Sequence, residues 1–384
     1  MQAADKKKIY LSSPTMNGHE MDYIQEAFDS NWIAPLGKNV DEFEKEIASY
    51  IGVSHAAALS AGTAALHLAV KLAGITKGDI VFSSSLTFAA TCNPVVYEHG
   101  KLVFIDSEKD TWNMSPEALE EGFKKYPNAK AVILAHLYGT PAKLDEIISI
   151  CDKYGAVLIE DAAEALGSSY KGKKCGSFGK YGILSFNGNK IITTSGGGML
   201  LSGEKQAIQK ARFWATQSRE PARHYEHKEI GYNYRMSNIV AGIGRGQLLS
   251  LDEYKKRKQE IYCEYEKAFA EIPGLSMNPL NKDGEANHWL SCLILDKEWI
   301  NSGVTPETLI EALEKEGIES RPIWKPMNLQ PVYAENDFIQ IEECNGVSIG
   351  EDIFNRGLCL PSDIKNNSET MLRITDLIKN LIGK

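Results

Sequence analysis

The chain has 384 residues, of which 43% are hydrophobic and 24% are charged, a composition typical of a soluble globular protein. This length is too great for one small core and suits a large domain with a smaller second domain. The net charge of −9 argues against a nucleic acid or an anionic membrane surface as the main partner.

The cysteines and the N-terminus indicate the compartment. Seven cysteines are scattered without any C-x-x-C pair, which is typical of reduced thiols and not of a disulfide framework or a zinc site. The N-terminus has a basic cluster but lacks the apolar segment of a secretory signal. No apolar run reaches the roughly 18–20 residues of a membrane span. We therefore expect a cytoplasmic protein with no metal site.

The first half of the chain alternates short apolar runs with helical periodicity. The runs predict strands at 55–60, 79–84, 101–107, 129–139 and 156–161. The segments between them predict helices at 63–74 and 88–100, from Ser115-Pro116, and at 144–155. Continuous apolar strands separated by helices are typical of a mostly parallel sheet covered on both faces. We therefore predict an α/β fold with a large domain over residues 1–250.

The pattern changes after this alternation. Residues 182–203 predict a strand, a Gly-Asn turn, a second strand, a glycine run and a third strand. A helix is predicted at 206–217 and a polar, aromatic loop at 219–238. A later long helix, a strand at 288–295 and a helix at 306–317 predict a smaller α+β domain. This second domain is placed at 251–384, with residues 1–20 expected to pack on it.

Three segments place polar groups where parallel strands end, the edge at which such sheets bind ligands. Ser60–Thr63 ends a strand and opens a helix, whose free N–H groups can bind an anion, although such a turn is also common in ordinary packing. Asp161 ends another strand and is either a helix cap or a carboxylate for a buried cation. Lys190 is the only lysine between Lys180 and Lys205. It is either a hairpin-tip lysine or a shielded nucleophile.

Together, an anion cradle, a strand-end aspartate and a shielded lysine are the binding groups of pyridoxal phosphate (PLP). Here the sequence resembles a known family. Five segments, in the correct order, resemble the DegT/DnrJ/EryC1/StrS sugar aminotransferases: SAGTAALHLA, TFAATCNPV, EDAAEALGS, SFNGNKIITTSGGGML and GYNYRMSNIVAGIGRGQL. The segments SNWIAPLG, HYEHKEIGYNYRMSN and ESRPIWKPMNLQPVY more narrowly resemble the C4 aminotransferases of UDP-N-acetylbacillosamine synthesis.

The resemblance implies a fold-type I PLP enzyme that acts as a homodimer with shared active sites. Lys190 would bind PLP covalently and act as the catalytic acid and base, and Asp161 would pair with the pyridinium. Glu164 would lie near the phenolic oxygen; the family often has Gln there, and the bacillosamine-type enzymes have Glu. The remaining cofactor contacts implied are Phe88 on the ring, Gly62, Thr63 and Ser185 at the phosphate, and Asn233 from the partner subunit.

The same resemblance implies the substrates, L-glutamate and a UDP-linked 4-keto-6-deoxy-sugar, in a ping-pong reaction. The sugar nucleotide would contact two segments: Asn31, Trp32, Ile33 and Ala34, and Trp324, Lys325, Pro326 and Met327. Trp32 and Trp324 are also compatible with core positions. Arg219, Arg235 and Arg321 are candidates for binding a carboxylate or diphosphate, with surface solvation as the alternative for each.

Other functions fit this sequence less well. A PLP-dependent sugar dehydratase of the same family would have His in place of Lys190, and a dTDP-keto-sugar aminotransferase differs only in its nucleotide. A nicotinamide oxidoreductase would need G-x-G-x-x-G, but the run from Gly242 to Gly246 is followed by Gln247. A non-catalytic sugar-binding protein would not need the lysine and the aspartate together. The pair His224-x-x-His227 is weak support for a metal site.

Overall fold

A computed structural model describes residues 8–383; residues 1–7 of the predicted N-terminal segment lie outside this range. The helices are α1 Glu20–Asp29, α2 Lys38–Ile51, α3 Gly62–Leu72, α4 Asn93–Tyr97, α5 Pro116–Lys125, α6 Leu144–Tyr154, α7 Lys205–Ala215, α8 Asn238–Leu248, α9 Leu251–Phe269, α10 Lys297–Asn301, α11 Pro306–Lys315, α12 Ile349–Arg356 and α13 Ser368–Ile382. The strands are β1 His55–Leu59, β2 Ile80–Ser84, β3 Lys101–Ile105, β4 Ala131–Ala135, β5 Val157–Asp161, β6 Ser169–Tyr170, β7 Lys173–Lys174, β8 Tyr181–Ser185, β9 Gly198–Ser202, β10 Leu275–Met277, β11 Gly284–Glu285, β12 Ser291–Leu295, β13 Arg321–Pro322, β14 Asp337–Ile339, β15 Glu343–Cys344, β16 Val347–Ser348 and β17 Gly357–Leu360.

Eight strands form the central sheet, in the order β1-β9-β8-β5-β4-β2-β3-β14. Only the two pairs that involve β9 are antiparallel, so the other seven strands run in one direction. The central strands β4 and β9 are buried along their whole length, as expected for apolar strands covered on both faces. The predicted α/β fold with a mostly parallel sheet is therefore confirmed.

Three predicted elements differ from the observed ones. The strand predicted at 129–139 ends at Ala135 and is followed by a turn in which Tyr138 has φ of +51°. The helix predicted at 88–100 is a short 3₁₀ turn followed by α4. The middle strand predicted within 182–203 is absent. The chain there turns back on the end of β8 instead, because the main-chain N–H and carbonyl of Phe186 bond to Gly197 and Thr194.

The C-terminal part of the chain has its own antiparallel sheet, β10-β12-β17-β13. This sheet shares an apolar core with α9, α11 and α13, and Ile9 belongs to the same core. Ile9 also donates its N–H to Gly317 O at 2.9 Å. In contrast, β14 leaves this part of the chain and pairs with β3 at the edge of the large sheet. The domain boundary at residue 250 stays a prediction.

The glycine run of α8 serves helix packing. An added Cβ at Gly244 would lie 2.5 Å from the ring of Phe43, and one at Gly246 would lie 2.6 Å from the main-chain nitrogen of Glu20. The run lies inside a helix and follows no strand, so it lacks the context of a dinucleotide-binding motif. In addition, no helix within residues 8–383 is long and apolar enough to cross a lipid bilayer.

Candidate active site

A cavity of about 330 Å³ lies where β5 and β8 end and α3 begins. This is the edge of the sheet at which parallel α/β folds bind ligands. The cavity brings together eight of the residues predicted from the sequence: Gly62, Thr63, Phe88, Asp161, Glu164, Ser185, Lys190 and Trp324. Residues far apart in the chain thus form one site.

The N-terminus of α3 forms an anion cradle at one end of this cavity. Its N-cap, Ala61, provides no side-chain cap, so N–H groups of the first turn remain free for a bound anion. Thr63 and Ser185 line the same cavity, and their side chains carry hydroxyl groups that can donate to an anion. A Cβ added at Gly62 would lie 3.0 Å from the Cβ of Ser185. Glycine therefore keeps the cradle open, and a phosphate group fits it.

Asp161 is the last residue of β5 and is buried. Its carboxylate accepts hydrogen bonds from Thr91 Oγ1 at 2.8 Å and from Ala163 N at 3.2 Å. No helix begins here, so Asp161 is not a helix cap. Burial raises the pKa of this carboxyl, and the charge of Lys190 acts against that shift. A buried carboxylate that lines the cavity fits a protonated ring nitrogen as its partner.

Lys190 and Glu164 both line the cavity and interact electrostatically. Burial lowers the pKa of the Lys190 amine, against the opposing charges of Glu164 and Asp161. Burial raises the pKa of the Glu164 carboxyl to about 7, and its Oε2 accepts a hydrogen bond from Tyr138 N at 2.7 Å. Lys190 lies in the connection between the antiparallel neighbours β8 and β9, as the hairpin alternative expected, and it also lines the cavity. A shielded lysine whose pKa is lowered by burial is a better nucleophile than an exposed one.

Sequence reasoning missed several residues that complete the cavity. Thr91 supports Asp161, and Trp289 places its ring centroid 3.9 Å from Lys190 Nζ. The sequence around Trp289 does not indicate that this residue lines the cavity, because Trp289 is about a hundred residues beyond Lys190 in the chain. Thr91 could have been found, since it lies in the segment TFAATCNPV that carries the family resemblance.

Other predicted contacts lie outside this chain's own cavity lining. Asn233 is exposed, and Trp32 and Ile33 are each 48% exposed, so Trp32 is not a core residue. The segment from Asn31 to Ala34 is held through its main chain, because Asn238 hydrogen-bonds the carbonyls of Trp32 and Ala34.

In the second predicted segment, only Trp324 reaches the cavity, where its ring lies 5.4 Å from that of Phe88. Lys325 is exposed, and Pro326 and Met327 are buried. The sugar-nucleotide contacts of both segments stay predictions.

The candidate arginines have different environments. Arg235 pairs with Glu44 at 2.9 Å and bonds the carbonyl of Ala58, so it supports the fold. Arg321 pairs with Glu319 at 2.8 Å on the surface, and Arg219 lies over the ring of Tyr225.

His224 and His227 have separate partners. A buried group of His136, Glu160 and Cys175 has metal-ligand chemistry. However, Glu160 already accepts bonds from His136 Nε2 and the main-chain N–H groups of Gly176, Phe178 and Gly179. Its carboxylate is thus satisfied by the protein.

Comparison with known proteins agrees with this geometry. Residues 14–379 match the model of the DegT/DnrJ/EryC1/StrS aminotransferase family. EpsN of Bacillus subtilis, assigned by name as a pyridoxal phosphate-dependent aminotransferase, is 50% identical over 98% of this chain and 96% of its own. A GDP-perosamine synthase of Caulobacter vibrioides is 38% identical over 90% and 92% of the two chains.

A third relative is the UDP-4-amino-4,6-dideoxy-N-acetyl-beta-L-altrosamine transaminase of Campylobacter jejuni. It is 36% identical over 83% of this chain and 84% of its own. Among solved structures, the aminotransferase TlmJ of Streptoalloteichus hindustanus superposes with a TM-score of 0.89 at 25% identity, covering 98% and 99% of the two chains. The fold is therefore that of fold-type I aminotransferases, and the cofactor is pyridoxal phosphate. The chain belongs to the DegT/DnrJ/EryC1/StrS family of PLP-dependent nucleotide-sugar aminotransferases.

Proposed function

We propose that this enzyme moves an amino group from L-glutamate to C4 of a UDP-linked 4-keto-6-deoxy-sugar. The sugar is UDP-2-acetamido-2,6-dideoxy-hexos-4-ulose, and the UDP-4-amino-sugar product serves bacillosamine-type glycan synthesis. The observation that carries the proposal is the single cavity that joins a shielded lysine, a buried aspartate and an uncapped helix N-terminus.

Each residue of the cavity has a separate role in this reaction. The cofactor, when bound, supplies an electron sink for the carbon that loses or gains a proton. Asp161 would hold the ring nitrogen protonated, because its carboxylate is buried and lines the cavity. Gly62, Thr63 and Ser185 hold the phosphate, and Phe88 covers the ring. Lys190 anchors the cofactor and then, as a free amine, takes a proton from the donor's α-carbon and delivers one to C4 of the sugar.

Glu164 has a further part in this scheme. Burial raises the pKa of this carboxyl and so favours its protonated form, whose O–H would be able to donate a hydrogen bond to the phenolic oxygen. The acceptor bond from Tyr138 N orients the other carboxyl oxygen. The two half-reactions share one lysine and one cavity, so the enzyme follows ping-pong kinetics.

Covalent attachment tests the central assignment. We expect the purified protein to be yellow, and we expect borohydride reduction to fix the cofactor to the peptide that carries Lys190. The reason is that Lys190 is the only lysine lining the cavity among the described residues. Peptide mapping by mass spectrometry identifies the modified residue. Reduction that labels another lysine, or a protein that binds no PLP after reconstitution, would contradict the proposal.

The nucleotide is tested by comparing specificity constants. We expect kcat/KM for the UDP-linked keto-sugar to exceed that for the dTDP analogue by at least about tenfold, a difference of roughly 1.4 kcal/mol in transition-state binding. The support is the resemblance of residues 30–37 and 319–333 to UDP-sugar enzymes and the 36% identity to a UDP-sugar transaminase. Equal constants for the two nucleotides would remove UDP from the assignment.

A GDP-linked 4-keto-sugar is the second candidate substrate. It is favoured by the 38% identity to a GDP-perosamine synthase over 90% of this chain. The panel therefore includes GDP-, UDP- and dTDP-linked 4-keto-6-deoxy-sugars, with products identified by mass spectrometry. A preference for the GDP-linked sugar would leave the assignment as an aminotransferase in place and would change the proposed nucleotide from UDP to GDP.

We further propose that the enzyme is a homodimer in which Asn233 completes the partner subunit's phosphate site. Tyr232 and Tyr234 stack on each other and both lie beside His67 of their own chain. Side chains alternate in an extended segment, so Asn233 between them points away from its own chain and is exposed. Phe28 and Leu36 are large apolar side chains that are exposed in the single chain, and a second copy would be able to cover them.

Mixed dimers test the shared site. Lys190→Ala and Asn233→Trp are each expected to be inactive, the second because a bulky side chain fills the phosphate site. If the site is shared, a mixed dimer has one site with both lesions and one with neither, and about half of the wild-type activity per dimer returns. If Asn233 serves its own chain, every site keeps one lesion. Mixed dimers that are confirmed by pull-down of two different tags and remain inactive would rule out sharing.

A further inference from the structure

Trp289 has no role in the scheme above, although it lies closer to Lys190 than any other aromatic residue of the cavity. Its ring centroid is 3.9 Å from Lys190 Nζ, and its side chain is buried. Its indole N–H donates a hydrogen bond of 2.8 Å to the carbonyl of Asn189, the residue before the lysine. One side chain therefore contacts both the amine and the main chain that carries it.

We propose that Trp289 is a positioning residue for Lys190: its ring holds the amine, and its indole N–H holds the segment from which the lysine extends. The inference rests on the proposed function only in that Lys190 is the reacting lysine. The face of an indole ring attracts an ammonium group and excludes water from that side. A lysine that must anchor a cofactor and then transfer protons needs its amine in a defined place, because small displacements reduce the rate strongly.

The main chain of Trp289 is held on both sides. Its N–H donates to Asn287 Oδ1 at 2.9 Å, and its carbonyl accepts a bond of 3.0 Å from Lys258 Nζ. Lys258 is buried, and its amine also donates to Ser362 O at 2.8 Å. The two carbonyl oxygens are the acceptors for this buried amine, and burial lowers the pKa of Lys258 to about 8. These bonds fix where the ring lies.

The turn that delivers Trp289 is strained. His288 has φ of +52°, a left-handed conformation that is costly for a residue with a side chain. It is buried, and its Nδ1 has no hydrogen-bond partner. Such strain persists where the surrounding structure imposes it, and it is common at functional sites. The strained turn places the indole ring against Lys190.

Asn287 ties this turn to the other side of the cavity. Its side chain is fully buried, and its Nδ2 donates to the carbonyls of Glu164 at 2.8 Å and Leu166 at 2.9 Å. The same side chain thus binds the main chain of both Trp289 and Glu164. Asn287 therefore couples the position of Trp289, which contacts the lysine amine, to the position of the main chain of Glu164.

The experiment uses cofactor-free protein, so its outcome does not depend on the substrate or on turnover. Trp289→Phe keeps a ring and deletes the indole N–H, and Trp289→Leu deletes both. The control is Trp214→Leu. Trp214 is a second buried tryptophan, with its N–H bonded to Glu229 and Lys71 Nζ 5.2 Å from its ring, and it does not line the cavity.

Two measurements follow on each variant. The first is amide hydrogen exchange of the peptide over residues 186–194. The second is the rate at which acetic anhydride modifies Lys190, relative to the exposed Lys125. Both Trp289 variants should speed exchange of this peptide by about tenfold, as the loss of a buried hydrogen bond predicts. The Ser12 hydroxyl also donates to Asn189 O, at 3.1 Å, and this bond is the same in every variant.

The two variants differ in the second measurement. Only Trp289→Leu should increase acetylation of Lys190, again by about tenfold, because only it uncovers the amine. Trp214→Leu should leave both rates unchanged. Unchanged exchange and acetylation in a folded Trp289→Leu would overturn the proposal. If that variant does not fold, Trp289→Phe decides by itself, and unchanged exchange in it would overturn the proposal. Borohydride labelling of Lys190 separately reports whether the proposed function holds.

Discussion

Lys190→Ala should lose turnover by at least about a hundredfold and still bind pyridoxamine phosphate and the sugar nucleotide. The lysine acts as the acid and base of both half-reactions, and general acid–base catalysis alone contributes roughly 10²–10⁴-fold. The cradle at Gly62 and the carboxylate of Asp161 remain intact in the variant. Supplying the cofactor already in its amino form should therefore restore binding but not the rate.

Single-turnover kinetics of the variant loaded with pyridoxamine phosphate measure this effect. The matched control is Lys180→Ala, which removes an exposed lysine that pairs with Glu204 and lies outside the cavity. The control should keep the wild-type rate. A loaded Lys190→Ala variant that aminates the sugar at a near-normal rate would show that another residue transfers the proton.

Asp161→Asn should reduce kcat on the order of a hundredfold, with a much smaller loss of PLP affinity. The amide preserves most of the side-chain volume and can still accept from Thr91 Oγ1. It carries no charge, so it cannot hold the ring nitrogen protonated, and preorganised electrostatic groups of this kind contribute about 3–4 kcal/mol to catalysis. The phosphate cradle, which supplies much of the cofactor's binding, is unchanged.

Asp106→Asn is the control for the loss of a buried carboxylate. Asp106 is also buried, and it accepts hydrogen bonds from the main-chain N–H groups of Ile349 and Gly350 at 3.0 Å. The Asp106→Asn variant should have a lower thermal stability without a comparable loss of kcat per folded molecule. A loss below about tenfold in Asp161→Asn would show that the aspartate does not control the ring nitrogen, since preorganised charges at a reacting group contribute more than this.

The sequence by itself determined the class of the fold and the two residues at the centre of the site. Continuous apolar strands alternating with helices require a covered parallel sheet, because each strand must bury both faces. Asp161 could be found because it ends such a strand. Lys190 could be found because it is isolated among small and apolar residues. Both signals are local, so they can be read without knowing what lies opposite in space.

The tertiary structure decided which distant groups meet these residues. Trp289 reaches Lys190 through a strained turn at His288, and β14 joins the large sheet from the C-terminal part of the chain. No local pattern encodes either event, because each depends on packing between segments far apart in sequence. A strand is predicted within the connection from Phe186 to Gly197. This connection forms a loop because its hydrogen bonds return to the end of β8, where they hold the lysine over the cavity.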